Sequence, residues 1–357
     1  MYGLFGRAGV KLLAFLAFAL PACPSFAQTL PALGADLTRT TVSGLSSGAY
    51  MAGQFQIAYS RLVIGAGIVA GGPYGCARTP NTELNPFWLV VLGLNVNRAQ
   101  NQCMEDGLFF SSVPDPAGLE DYAERLAADG RIDPLEALRS DKLYIFSSRE
   151  DSTVEPGVVE AALAFYKKAG VPEANISFVT NDKAAHSFLT ESEGPTCGTA
   201  GAPFLNDCDY DQAKAVLQQL YGDLQPARPA VDASFLHFKQ APFHTGLADA
   251  DFDDDGMAYI PAGCRTQAGC AVHVVFHGCR QGLSAANVGE QFVRGSGYAR
   301  WAESNRLIVL FPQVRPGTNN PNGCWDWWGY SGLRFLERDA PQMVGVKRMI
   351  DRLAAAP

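Results

Sequence analysis

The sequence predicts an α/β fold: an open, mainly parallel sheet covered by helices on both faces. Three observations predict it. Short apolar runs of strand length alternate with stretches of helical spacing, which implies parallel strands joined by crossover helices. The chain has 357 residues, 47% hydrophobic and 18% charged, enough to bury a large core. A Gly-x-Ser-x-Gly pentapeptide stands where one strand hands over to a helix.

Along the chain, the first element is a leader. Arg7 and Lys11 precede an apolar run from Leu12 to Ala22, and Ser25-Phe26-Ala27 puts small residues before Gln28, the pattern of a secretory signal cleaved after Ala27. The run is about half of the roughly 20 residues a membrane-spanning helix needs. No later stretch comes closer, so no span is expected. Export to the periplasm or the medium suits the cysteines. Of nine, Cys23 lies in the leader; Cys76, Cys103, Cys197, Cys208, Cys264, Cys270, Cys279 and Cys324 remain and suggest four disulfides. Joining neighbours gives Cys76 with Cys103, Cys197 with Cys208 and Cys264 with Cys270, leaving Cys279 with Cys324. That is one of roughly a hundred connectivities, and the sequence alone does not choose among them.

Residues 28–357 are expected to form a single catalytic domain without a separate substrate-binding domain. No linker or repeat interrupts them, and Pro226-Ala227-Arg228-Pro229-Ala230 reads as a short surface crossing. Strands are expected at Leu62 to Ala70, Lys142 to Ser147, Asn175 to Val179, Ala271 to His277 and Arg306 to Pro312. Helices are expected at Leu119 to Ala127, Pro156 to Ala169, Asp211 to Tyr221, Tyr298 to Asn305 and Ala340 to Ala354.

The net charge of −8, with scattered positive residues, argues against nucleic acid and suits a neutral or polymeric substrate. Metal sites are not expected. There is no Cys-x-x-Cys pair, and His273 and His277 on one strand stand roughly 13 Å apart, too far to share an ion. Asp251-x-Asp253-x-Asp255-Gly256 looks like the start of a calcium loop, yet Ala262 occupies the position of its glutamate. It reads as an acidic turn before a strand from Met257 to Pro261. No cofactor is implied.

Ser43-Gly44-Leu45-Ser46-Ser47-Gly48-Ala49-Tyr50-Met51-Ala52 has the spacing of a nucleophile elbow, with Ser46 on a sharp turn and glycines where side chains would collide. The helix that follows aims its N-terminus at the site. The expected chain order is serine, acid, histidine. Asp151 lies in the loop leaving the strand at Lys142, with Glu150 and Asp182 as weaker competitors; His186 lies in the loop leaving the next strand. His186 is the expected base and Asp151 its orienting acid. The His-Gly loop that supplies an oxyanion donor normally precedes the serine, but here it comes far downstream, at His277-Gly278-Cys279. A circularly permuted α/β-hydrolase fold accounts for this, and the amides of Ser47 and Cys279 are the expected oxyanion hole. His277 itself reads as structural, through its backbone.

These residues resemble the extracellular poly(3-hydroxybutyrate) depolymerases of circularly permuted α/β-hydrolase type. The resemblance rests on Ser43 to Ala52, Ser147 to Val154, His186-Ser187-Phe188, Phe276-His277-Gly278-Cys279 and Gly323-Cys324-Trp325-Asp326-Trp327-Trp328-Gly329-Tyr330. It implies a secreted, cofactor-free esterase acting on short-chain polyhydroxyalkanoates, with Ser46, Asp151 and His186 as the triad and Cys279 as an oxyanion donor. It also supports a Cys279 to Cys324 bridge. That bridge brings the aromatic segment beside the site, making Trp325, Trp328 and Tyr330 candidate substrate contacts. Many members append a linker and a polymer-binding domain, and neither is expected here. A feruloyl or acetyl carbohydrate esterase and a non-catalytic polymer- or surface-binding protein are the alternatives. The expected partner is a polyester, and the expected state a monomer.

Overall fold

The computed structural model describes Met1, Gly3 and residues 28–80, 82, 87–105 and 114–357. The expected leader, including Cys23, otherwise lies outside the described residues.

Among the described residues there are ten strands: β1 (Thr40–Leu45), β2 (Val63–Val69), β3 (Lys142–Ser148), β4 (Ile176–Asn181), β5 (Phe188–Thr190), β6 (Leu205–Asp207), β7 (Phe235–Lys239), β8 (Asp255–Tyr259), β9 (Ala271–Phe276) and β10 (Leu307–Phe311). The helices are α1 (Ser47–Ala58), α2 (Trp88–Gln102), α3 (Pro116–Ala128), α4 (Pro156–Lys168), α5 (Gln212–Tyr221), the short α6 (Ala241–His244), α7 (Ala262–Thr266) and α8 (Gln291–Gly295), then α9 (Tyr298–Asn305) and α10 (Pro341–Ala354). Local signals start several of them. Asp115 caps α3 by accepting from the N–H groups of Ala117 and Gly118, Asp211 caps α5 through Lys214 N–H, and proline occupies the first turn of α3, α4 and α10.

The main sheet runs β4-β3-β2-β1-β9-β10-β8-β7, parallel throughout except for β8, which is antiparallel to both its neighbours. Residues 40–181 build outward from β1 on one side, and residues 235–311 build the other side. β5 and β6 form a small parallel pair apart from the sheet. The central strands β1, β9 and β10 are buried along their whole length, as strands covered by helices on both faces must be.

β1 carries polar residues into this interior. Thr41 Oγ1 and Ser43 Oγ contact the two ring nitrogens of His273 at 2.7 and 2.8 Å, Thr41 Oγ1 donates to Tyr221 OH, and Tyr298 OH meets Ser43 Oγ. Burial lowers the His273 pKa to about 3, so its ring serves this network uncharged.

Segments from the two ends of the described chain run side by side. Leu33 N–H donates to Leu353 O and Gly34 N–H to Ala355 O, at 3.0 and 2.9 Å. Gln28 lies along the outer strand β7, donating to His237 O and accepting from Lys239 N–H. Four disulfides join Cys76 to Cys103, Cys197 to Cys208, Cys264 to Cys270 and Cys279 to Cys324. Among the described residues, no helix is long and apolar enough to cross a membrane.

Candidate active site

Ser46 sits between β1 and α1 with φ 58° and ψ −122°, a conformation that L-residues rarely adopt. Its N–H donates to Val69 O, and its own carbonyl accepts from Tyr50 N–H, so the strand and the helix hold the turn from both sides. The two flanking glycines are required by contact. A Cβ on Gly44 would meet Gly48 O at 2.2 Å, and a Cβ on Gly48 would meet Phe276 O at 2.2 Å. Ser47 opens α1, so its N–H has no acceptor within the helix and is free for a ligand.

Asp151, in the loop after β3, is buried. Its Oδ1 accepts from the N–H groups of Thr153 and Val154, at 2.8 and 2.9 Å. Its Oδ2 accepts from His186 Nδ1 at 2.7 Å, which leaves the lone pair on Nε2. Its neighbour Glu150 is exposed, and Asp182 pairs instead with Arg149 at 3.4 Å. Ser46 and His186 line one cleft of about 350 Å³, together with Tyr50, Phe204, Cys279, Trp327 and Trp328.

β9 ends at Phe276, one residue earlier than expected, because His277 turns its ring onto the following loop. Nδ1–H donates to Gly278 O at 2.7 Å and Nε2 accepts from Val314 N–H at 3.2 Å. In a trans peptide the carbonyl and the next N–H point in opposite directions. With Gly278 O turned to the His277 ring, the N–H of Cys279 is turned away from that ring. The ring therefore matters as well as the backbone, contrary to the sequence-based expectation. Burial lowers its pKa to about 4, which keeps the accepting nitrogen unprotonated. Gln281, also buried, takes Gly278 N–H on Oε1 at 2.7 Å and donates from Nε2 to the carbonyls of Pro203 and Phe204. Phe204 stands edge-on to the His186 ring, 6.2 Å between centroids.

The aromatic segment differs from expectation. Trp325 does not line the cleft: it is fully buried, packed at 4.9 Å against Phe276 and near Phe252 and His277. Tyr330 is buried too, its OH donating to Cys324 O. Both belong to the packing beneath the site, because the Cys279–Cys324 bridge holds the start of the segment inward. Trp328 does face the cleft. So does Trp327, which stacks on Tyr50 at 4.2 Å with planes 9° apart. Trp327 belongs to the aromatic segment expected beside the site but was not among its expected substrate contacts, and Tyr50, Phe204 and Gln281 had no role assigned from the sequence. They meet only through contacts between distant segments, and a Tyr four residues after the elbow serine reads as an ordinary helix residue.

The sheet and the elbow place the molecule among the α/β-hydrolases, with a histidine–carboxylate pair over the same cleft as the elbow serine. No family model matches the chain. By its relatives it belongs to the polyhydroxybutyrate depolymerase family. It is similar to a polyhydroxybutyrate depolymerase of Talaromyces funiculosus, 31% identical over 358 residues, which span 94% of this chain and 96% of the relative. It is also similar to a poly(3-hydroxybutyrate) depolymerase of Delftia acidovorans, 39% identical over 336 residues, which span 92% of this chain but 62% of that relative. Two solved structures match at TM-score 0.79 and 30% identity, spanning 92% of this chain and 99% of theirs: the depolymerase of Penicillium funiculosum, and a serine-to-alanine variant of a PHB depolymerase complexed with an R3HB trimer.

Proposed function

We propose that the chain is a secreted serine esterase that hydrolyses poly(3-hydroxybutyrate) and related short-chain polyesters, acting as a monomer through a single catalytic domain after loss of residues 1–27. The observation that carries the chemistry is Ser46 on its strained elbow, over the same cleft as a His186 ring held by Asp151 at 2.7 Å. Ser46 Oγ attacks an ester carbonyl while His186 Nε2 takes its proton. The amides of Ser47 and Cys279 hold the resulting oxyanion, each worth about 3 kcal/mol at the transition state. His186 then protonates the departing alkoxide, and water, deprotonated by the same nitrogen, releases the acid from the acyl-serine.

A permuted chain order is supported by two features. β9, whose end carries the His-Gly loop, lies beside β1 although it comes some two hundred residues later, and the segments around Leu33 and Leu353 are hydrogen-bonded neighbours. The four disulfides favour an oxidising compartment. A polymeric substrate suits α2, whose start exposes Phe87, Leu89, Val90 and Leu94 while Val96, Ala99 and Gln100 line the cleft.

The test is clearing of amorphous polymer granules and release of soluble 3-hydroxybutyrate by the purified protein beside Ser46→Ala. Release that the substitution abolishes is expected. Ser46-dependent turnover of aryl or feruloyl esters without polymer release would move the substrate to soluble or carbohydrate esters, and no turnover of any ester would overturn the enzyme reading.

A further inference from the structure

The cleft does not end at the triad. A second cavity of about 370 Å³ adjoins it, sharing Arg280, Pro321 and Asn322 and bounded elsewhere by small and apolar residues such as Ala285, Val314 and Pro316. Among the described residues lining either cavity, Arg280 is the one that bears a fixed charge. In a chain of net charge −8 that sign is unexpected. The side chain is solvent-exposed, and no carboxylate of the described residues pairs with it.

The backbone beneath the side chain is fixed. Arg280 holds φ 56°, its N–H donates to Asn322 O at 2.7 Å, and its neighbour Cys279 is bonded to Cys324. The guanidinium lies over the Phe204 ring, 5.3 Å from its centre, and that ring in turn meets His186. Cation, aromatic ring and base therefore follow one another along the cleft. A hydroxybutyrate repeat has one more backbone atom than an amino-acid residue and spans roughly 4–5 Å when extended. Ser46 and Arg280 line the same cleft, so the chain of a short oligoester placed at Ser46 runs on toward Arg280.

We propose that Arg280 is a carboxylate-binding residue that receives the acid end of short hydroxyacid oligoesters in the cleft. The inference rests on the esterase reading above and deepens it. Esters inside a polymer are uncharged and offer Arg280 only carbonyl oxygens; a released oligomer carries a terminal carboxylate that a guanidinium holds by paired, charge-assisted hydrogen bonds. The protein would then rebind and shorten its own soluble products.

The test measures binding and turnover separately. Binding of a 3-hydroxybutyrate trimer and of its methyl ester is titrated on the Ser46→Ala protein, which does not consume them. The free acid is expected to bind about five-fold tighter than the methyl ester, as for a solvent-screened ion pair, with the preference shrinking as salt rises. Adding Arg280→Gln, which keeps the side-chain length without the charge, should collapse that ratio, and Arg280→Lys should retain it. Equal binding of acid and ester, binding of neither, or a preference that survives Arg280→Gln would overturn the proposal. Turnover is then measured with Ser46 in place: a preference for the acid without hydrolysis of either trimer would sink the esterase reading and leave the carboxylate site standing.

Discussion

Ser46 and His277 divide the work of the site between strain and restraint. Ser46 keeps a backbone conformation that costs about 1–3 kcal/mol, held by Val69 O on one side and Tyr50 N–H on the other. His277 is buried and holds Gly278 O; in the proposed mechanism that same peptide presents Cys279 N–H. Replacing it with phenylalanine frees Gly278 O and leaves Val314 N–H unpaired in a buried place. His277→Phe should lower kcat on an aryl ester by about 10- to 100-fold, short of complete loss of a donor. KM should stay within about two-fold, since the ground-state carbonyl depends little on that donor. Steady-state kinetics give the answer, and an unchanged kcat would show that the His277 ring does not position Cys279 N–H. The sequence made the elbow legible because Gly44 and Gly48 are dictated by contact. It left Gln281 and the His277 ring illegible, because their partners at residues 203–204 and 314 are far away in the chain.

At the scale of elements, strands β2, β3, β9 and β10 were readable as short apolar runs, and α3, α4, α5 and α10 by helical spacing. β1 was harder because it buries polar residues: Thr40 Oγ1 donates to Leu37 O, while Thr41 and Ser43 find their partners in the distant His273, Tyr221 and Tyr298. β7 went unread, and β8 begins at Asp255, two residues before the expected start, because its first residue is an aspartate paired with Lys239. α2 escaped notice since its exposed Phe87, Leu89, Val90 and Leu94 blur the apolar face that periodicity would reveal. The aromatic segment 324–330 is neither helix nor strand, and one buried carboxylate shapes it. Asp326 accepts from Gly329, Tyr330 and Ser331 N–H and from Ser331 Oγ, while burial pushes its pKa upward. Asp326→Ala orphans these donors and should lower the unfolding free energy by roughly 3 kcal/mol. Urea denaturation measures this, and a loss below about 1 kcal/mol would show that the stacking of Trp327 on Tyr50 holds the segment unaided.

For the whole molecule, buried titratable groups set opposing pH responses. His273 and His277, lowered by burial from 6.5 to about 3 and about 4, are neutral when folded, whereas the unfolded chain takes up protons below about 6.5. Their contribution to stability therefore falls as pH drops from about 6.5 to about 3. Asp141, just before β3, is raised by burial from 3.8 to about 7, with Gln56 Nε2 donating to it at 2.7 Å. Its contribution is intact below 3.8 and is lost as pH rises through 7. Asp141→Asn should accordingly stabilise the protein by roughly 2–4 kcal/mol at pH 8 and hardly at pH 4. Thermal unfolding at the two pH values decides, and an equal effect at both would rule out the buried charge as the cause.

Gln28 lies along the outer strand β7, where its backbone occupies His237 O and Lys239 N–H. An open strand edge is a template on which another chain can add, the first step of fibre growth. With those two groups taken by the chain's own backbone, and Lys239 adding its charge at the rim, this side of the sheet resists recruiting a second copy. That resistance matters most wherever many copies crowd onto one solid surface.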